Sequence, residues 1–165
     1  MNKVNKIFLG SDHNGFELKE KIKTWLTDWE CEFEDMGAYK LNPQDDYPDF
    51  IKPVAQAVSE NPKESRGIVL GFSGQGEAVV ANRYRGVRAA VFYGEPQGVS
   101  EVGQKRTDKP KNMIVLSRED DDANVLAIAA GFISDNQAKE ALKLWLEAPF
   151  RGEERHERRI KKIDL

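Results

Sequence analysis

The stretch Gly67 to Asn82, GIVLGFSGQGEAVVAN, constrains this chain more than any other. It opens on Ile68-Val69-Leu70, an apolar run too short for a helix and right for a strand buried on both faces. Gly67, Gly71, Gly74 and Gly76 fall within ten residues, with Phe72, Ser73 and Gln75 among them. After Gly76 the pattern becomes that of a helix. Strand, glycine-rich turn and helix together present a row of backbone N–H groups to an anion. No Gly-Lys-Ser/Thr follows, which excludes a Walker loop, and the glycine spacing excludes the dinucleotide fingerprint. Glu77 stands in the first turn of the helix. By itself such an acid is a helix-favouring residue at a positive helix end; beside an anion-binding turn it is also a candidate base.

Strands and helices alternate around this unit. Lys6 to Gly10 reads as a buried strand. Phe16, Leu18, Ile22, Trp25, Leu26 and Trp29 then recur at helical spacing, with Ser11 or Asp12 available as a cap. Cys31 to Met36 alternates as a strand that Gly37 ends, and Pro48 to Ser59 reads as a helix with Pro48 or Pro53 in or near its first turn. Val87 to Tyr93 is a further strand. The segment 94–112 lacks apolar periodicity and reads as an inserted loop, while Met113 to Leu116 suits strand or helix equally. Asn124 to Ala130 is a strand, and Ser134 to Leu146 is a helix with a Ser-x-x-Gln capping box. The tail, 151–165, reads as a charged C-terminal helix, over Arg151 to Lys162. The trio Trp25, Trp29 and Trp145 suits core or interface packing.

The alternation predicts one α/β domain over 1–165: a doubly wound, mostly parallel five-stranded sheet with helices on both faces, flavodoxin- or Rossmann-like. Ligands of such sheets bind beyond the carboxyl ends of the strands. Asp12-His13 after the first strand and Gly71 to Glu77 after the third would meet in one crevice. Asp120 to Asp122 lies in the loop feeding the fifth strand.

Composition narrows the function classes. With 39% hydrophobic and 32% charged residues, a chain of 165 residues can bury a real core. A net charge of −3 argues against a nucleic-acid surface, and no apolar run approaches the length of a membrane span. Cys31 is the only cysteine, and no signal peptide heads the sequence. A cytoplasmic protein without nucleic-acid or membrane partners is expected.

With these residues in place, the chain resembles the ribose-5-phosphate isomerase B family, which includes the galactose-6-phosphate isomerase subunits. The likeness runs through GSDHNGFELKEKI, DDYPDF, GIVLGFSGQGEAVVANR, DANVL and ERHERRI, five ordered motifs spread over nearly the whole chain. It implies an aldose–ketose isomerase acting on a small sugar phosphate through an enediolate, with no cofactor and no metal, and a homodimer or higher homo-oligomer whose active sites draw on two subunits. One branch of the family uses a cysteine at the end of the third strand; Gly71 stands there in this chain. The other has Gly-x-Ser-Gly-x-Gly-Glu, which this chain matches, and implies Glu77 as the base with Ser73 beside it. The resemblance also implies substrate contacts by Asp12, His13, Gly71, Phe72, Gly74, Gln75 and Gly76, and phosphate binding by Arg155 and Arg159. Three positions depart: Asp120 replaces the ring-opening histidine, Asp121 an asparagine substrate contact, and Gly131 an arginine. Another sugar phosphate, a catalytically silent phosphate-sugar-binding paralogue, or one subunit of a hetero-oligomer are the alternatives these departures favour.

The chemistry suits the residue types. Enolisation needs a base beside a C–H next to a carbonyl, and donors aimed at the oxyanion. Glu77 can be that base, with the Ser73 hydroxyl and the N–H groups of Gly74 to Gly76 as donors. A helix N-terminus lowers the basicity of Glu77, and apolar neighbours such as Phe72 would offset this. Arg155 and Arg159, four apart, share a helix face suited to a phosphate, although Arg155, His156, Arg158 and Arg159 also fit a solvated face. The run Glu119 to Asp122 is either a solvated loop or a set of hard metal ligands. Lys105, Arg106, Lys109 and Lys111 of the inserted segment could supply cations over the site.

Overall fold

Apolar alternation along three central strands dictates a two-faced core. The computed structural model describes residues 6–94 and 112–163. Its strands are β1 (Lys6–Ser11), β2 (Phe33–Asp35), β3 (Ser65–Gly71), β4 (Ala89–Phe92) and β5 (Val125–Ala129). The helices are α1 (Phe16–Asp28), α2 (Pro48–Glu60), α3 (Gln75–Ala81), α4 (Met113–Glu119), α5 (Asp135–Glu147) and α6 (Glu154–Ile160). Ile7, Leu9, Ile68, Leu70, Leu126 and Ile128 face α1, α4 and α5, where Leu18, Ile22, Ile114, Leu142 and Trp145 close over them. Val69, Val125 and Ala127 point the other way, into Ile51, Val54, Val58 and Ala81 of α2 and α3. Successive strand residues alternate faces, so each strand serves both layers.

The sheet runs β2-β1-β3-β5-β4 and every pairing is parallel. The doubly wound α/β class read from the sequence therefore holds, with the sheet wholly rather than mostly parallel. Its order differs from flavodoxin's 2-1-3-4-5 in the last two strands. β5 returns between β3 and β4, so its core residues are fully enclosed. The chain leaves β1 for β2 on one side and for β3 on the other, which makes the carboxyl ends of β1 and β3 the switch point of the sheet.

Several boundaries differ from the sequence reading. β2 is shorter than Cys31 to Met36, as only the middle of that segment pairs with β1. Met113 to Glu119 is a helix, begun by Asn112, whose Oδ1 accepts from the N–H groups of Ile114 (2.9 Å) and Val115 (3.2 Å). α1 starts at Phe16, after Gly15, with no side-chain cap. Asp12 instead turns the chain, its Oδ1 accepting from the N–H groups of Asn14 (2.9 Å) and Gly15 (3.2 Å). Pro48 sits at the head of α2, whereas Pro53 lies inside it. The capping box of α5 forms as read, between Ser134 and Gln137. Helix in the tail is confined to Glu154–Ile160. Trp145 is fully buried, while Trp25 and Trp29 lie against the same core half-covered. The inserted segment falls outside the described residues, apart from its flanks Gly94 and Asn112.

Candidate active site

The glycine-rich turn ends β3 and delivers Glu77 back onto it. Gly74 takes φ +71°, in the left-handed region that favours glycine, and this sharp reversal lets α3 begin at Gln75. Glu77 is 4% exposed and its carboxylate lies against Gly71 so closely that a methyl group at position 71 would overlap Oε1. Gly71 is thus required for the close approach of this side chain to the strand end. Burial pushes the Glu77 carboxyl above the usual range, a hydrogen bond from its own N–H opposes that, and the nearby Asp12 charge adds to the rise. The apolar offset expected of Phe72 has a different origin. Phe72 is exposed and stacks edge-on against Phe132, at 5.3 Å between ring centres; enclosure of the carboxylate itself raises its basicity. Ser73 is half-buried, and its Oγ accepts from the Gln75 N–H at 3.4 Å. Gly76 lies beneath the ring of Tyr47, where a Cβ would meet the ring at 2.9 Å.

Asp12 and His13 arrive at the same switch point from β1. Asp12 is 5% exposed and close enough to Glu77 to influence its charge. His13 meets a residue the sequence reading did not select, Asp45, from the loop between β2 and α2. Asp45 Oδ1 stands 2.6 Å from His13 Nδ1 and accepts from the His13 backbone N–H at 3.1 Å. That hydrogen bond raises the His13 pKa above its ordinary value, against desolvation, with Asp12 adding to the rise. On the other edge of the ring, Asn14 Nδ2 lies 2.9 Å from Nε2 and also donates to Asp12 Oδ2 at 3.2 Å. Asp12, His13 and Asp45 offer ligand atoms within 4.8 Å of one another, which is compact enough for a cation. Nδ1 is nonetheless already engaged with Asp45, so the imidazole answers one of the carboxylates directly.

Asp120, Asp121, Arg155 and Arg159 lie elsewhere in the chain. Asp120 ends α4, Asp121 follows it, and both precede β5, at the amino ends of the strands. Val125 pairs with Gly67, and Gly67 to Gly71 alone spans about 13 Å at ~3.3 Å per residue. The chain therefore keeps these four residues and Glu77 at opposite ends of the sheet. The tail docks at the amino end as well: the Arg151 N–H donates to the Glu119 carbonyl at 3.1 Å, and its guanidinium pairs with the Glu119 carboxylate. Arg155 is exposed and pairs with Glu153 at 2.9 Å, and Arg159 is exposed. His156 is not on a solvated face. It is 4% exposed, with Nε2 at 3.7 Å from Asp120 Oδ1. Asp122 bridges Arg88 and Arg118, each at 2.8 Å. Burial, with Arg118 nearby, lowers the Arg66 pKa to about 10. Within the acidic run, Glu119 and Asp122 are thereby tied to arginines, Asp120 faces His156 of the tail, and Asp121 is exposed.

Gly131, where an arginine was expected, touches Phe72. A Cβ at 131 would overlap the Phe72 ring, and the Gly131 N–H donates to the Phe72 carbonyl at 2.9 Å. The aromatic ring occupies the space that a side chain there would enter.

The model of the ribose/galactose isomerase family matches residues 7–105 and 107–163, nearly the whole chain. The chain belongs to the ribose/galactose isomerase family. It is an enzyme, an aldose–ketose isomerase, as the relatives agree. Ribose-5-phosphate isomerase B of Escherichia coli is 32% identical over 160 residues, covering 97% of this chain and 95% of that protein. The crystal structure of the Mycoplasma genitalium ribose-5-phosphate isomerase B with bound ribulose-5-phosphate superposes with a TM-score of 0.83 at 34% identity, covering 96% of this chain and 93% of that one. The Thermotoga maritima ribose 5-phosphate isomerase gives 0.80 at 39% identity, over 96% and 97% of the two chains. No helix among the described residues of this family member is long and apolar enough to cross a membrane.

Proposed function

We propose that this isomerase interconverts a small aldose phosphate and its ketose phosphate, of the ribose 5-phosphate and ribulose 5-phosphate type, with Glu77 as the base. The observation that carries the reading is the position of the Glu77 carboxylate. It fills the space into which a side chain at position 71 would project, so a base carried by residue 77 and one carried by residue 71 would act from one place. Burial makes the carboxylate a stronger base than an exposed glutamate. With the open-chain sugar bound, Glu77 takes the proton from C2, the electron pair forms the C1–C2 double bond, and the C1 oxygen becomes the enediolate oxyanion. Ser73 Oγ and the N–H groups of Gly74, Gln75 and Gly76 are the donors for substrate oxygens, and Asp12, His13, Gly71 and Phe72 line the approach. A proton passes from the C2 hydroxyl to the C1 oxygen and Glu77 returns its proton to C1, which leaves the carbonyl at C2 and completes the isomerisation. No step requires a metal or cofactor.

Arg155, Arg159, Asp120 and Asp121 join this reading through a second copy of the chain. Their position at the amino end of the sheet puts them out of reach of their own Glu77, so a homodimer with shared sites is part of the proposal. A cytoplasmic location fits a chain whose one cysteine, Cys31, is free. The substrate need not be ribose 5-phosphate itself. Phe72 over Gly131 and the carboxylate of Asp120 favour a sugar that is linear or carries a hydroxyl that Asp120 can accept from. The deciding experiment is isomerisation of a panel of aldose and ketose phosphates in D2O, with deuterium at C1 or C2 of the product read by NMR. Turnover with solvent deuterium incorporation supports the enediolate; no turnover on any of them would leave the silent-paralogue reading.

A further inference from the structure

His13 carries the site's only described imidazole, and its tautomer is set by a residue with no other visible task. The Asp45 side chain is 7% exposed, deeply covered for a carboxylate on a loop, and its Oδ2 is buried without a hydrogen-bond partner. Its Oδ1 grips His13 twice, at Nδ1 (2.6 Å) and at the backbone N–H (3.1 Å). A carboxylate accepts hydrogen bonds and does not donate them, so Nδ1 must carry the proton. Asn14 agrees from the opposite edge. Its Nδ2 is oriented by donation to Asp12 Oδ2 and lies 2.9 Å from Nε2, which suits an Nε2 lone pair.

We propose that Asp45 is a positioning residue that holds His13 in the Nδ1–H tautomer, so that Nε2 is the atom presented to a sugar oxygen at the mouth of the Glu77 site. Asn14 holds that atom until substrate displaces its amide. The neutral ring then accepts from a substrate hydroxyl, and the protonated ring donates to a substrate oxygen. Among the described residues, the titratable groups facing the ring are Asp45 from the β2–α2 loop and Asp12 from the end of β1. Both are acids, so each favours the protonated ring; Asp45 also fixes which nitrogen is exposed. The role given to Nε2 rests on the isomerase reading, whereas the tautomer does not.

The test is read in the free protein. His13 and His156 are the only histidines, so long-range nitrogen–proton NMR of tag-free, nitrogen-15-labelled protein resolves both rings, with His13→Gln giving the assignment. Wild type should have Nδ1–H at His13 and a titration midpoint above the ordinary value of about 6.5. In Asp45→Asn the midpoint should fall by about one unit or more, as for loss of an opposite charge in contact, and the Nε2–H form should appear. Asp45→Glu should restore part of both. With the sugar phosphate that the panel identifies, Asp45→Asn should raise KM more than it lowers kcat. An Nε2–H tautomer in wild type, or an unchanged ring in folded Asp45→Asn, overturns the proposal, and the wild-type spectrum decides alone if that variant does not fold. Absence of isomerisation with the ring behaving as stated would defeat the proposed function and leave the tautomer assignment standing.

Discussion

The two ends of the sheet use acidic residues in opposite ways. At the carboxyl ends of β1 and β3, Asp12, Asp45 and Glu77 converge, and among the described residues none of them is paired with a lysine or arginine. At the amino ends, Asp122 holds Arg88 and Arg118, Glu119 holds Arg151, and Asp120 faces His156. Acids paired with arginines in this way tie elements together and serve the fold. At the carboxyl ends, by contrast, the surroundings raise the proton affinity of Glu77 and of His13. Chemistry that moves a proton needs the second arrangement.

The largest effect that could break this contrast comes from Glu77→Gln. Removing a general base should lower kcat by at least about a hundredfold. Stability should move the other way. The folded-state pKa of Glu77 is raised, so its buried anion opposes folding at pH values above that pKa, and this cost disappears as pH falls through it. Glu77→Gln should therefore melt no lower than wild type at neutral pH, with the difference vanishing in acid. A variant that melts well below wild type, or that turns over normally, would contradict the role of this end of the sheet.

Gly71→Ala tests the same end without touching its charge. The added methyl group would overlap Glu77 Oε1 and must push the carboxylate aside. A misplacement of about 1 Å can cost on the order of a hundredfold in rate, so kcat should drop steeply. The strand is otherwise unaltered, and the melting temperature should change little. Normal kcat in this variant would mean that the observed carboxylate position is not the working one.

Asp122→Asn sharpens the contrast from the amino end. It leaves Arg118, 3% exposed, and Arg88 without their shared carboxylate. Breaking a buried pair typically costs about 3 kcal/mol, which denaturant titration would read. Turnover per folded molecule should be far less affected than stability. A stable variant with lost turnover would reverse the assignment of the two ends.

Legibility in the sequence followed the range of the interactions. Asp12, His13 and Glu77 could be placed together because Asp12 and His13 directly follow β1 and Glu77 opens the helix after β3, and parallel strands deliver their carboxyl ends to one edge. Asp45 could not, since it sits in an irregular loop and only the path from β2 to α2 brings it to His13. Its motif, DDYPDF, pointed to the region without indicating which acid would be buried. Tyr47 over Gly76 was hidden for the same reason. His156 looked solvated among arginines because its burial depends on contacts with the α4–β5 connection, far away in sequence. The exchange of β4 and β5 was equally invisible: alternating elements give strands and their direction but not their order.

The smallest expected effect belongs to chelation, and it bears on the one group among the described residues at the carboxyl end that is compact enough to hold a cation. Asp12, His13 and Asp45 could present hard oxygen ligands and an imidazole. A bound divalent ion would have to take Nδ1 from Asp45, breaking a 2.6 Å contact, or reach Nε2 past Asn14. It would also draw on Asp12, whose oxygens already accept from Asn14 and Gly15. The proton transfer proposed for Glu77 needs only the carboxylate and the donors of the glycine-rich turn. Exhaustive treatment with a chelator, followed by assay in metal-free buffer, should therefore leave kcat and KM unchanged. Loss of activity restored by one divalent ion, and abolished by Asp45→Asn, would instead make this cluster a metal centre. The contrast between the two ends would then become one between acids answered by arginine and acids answered by a metal.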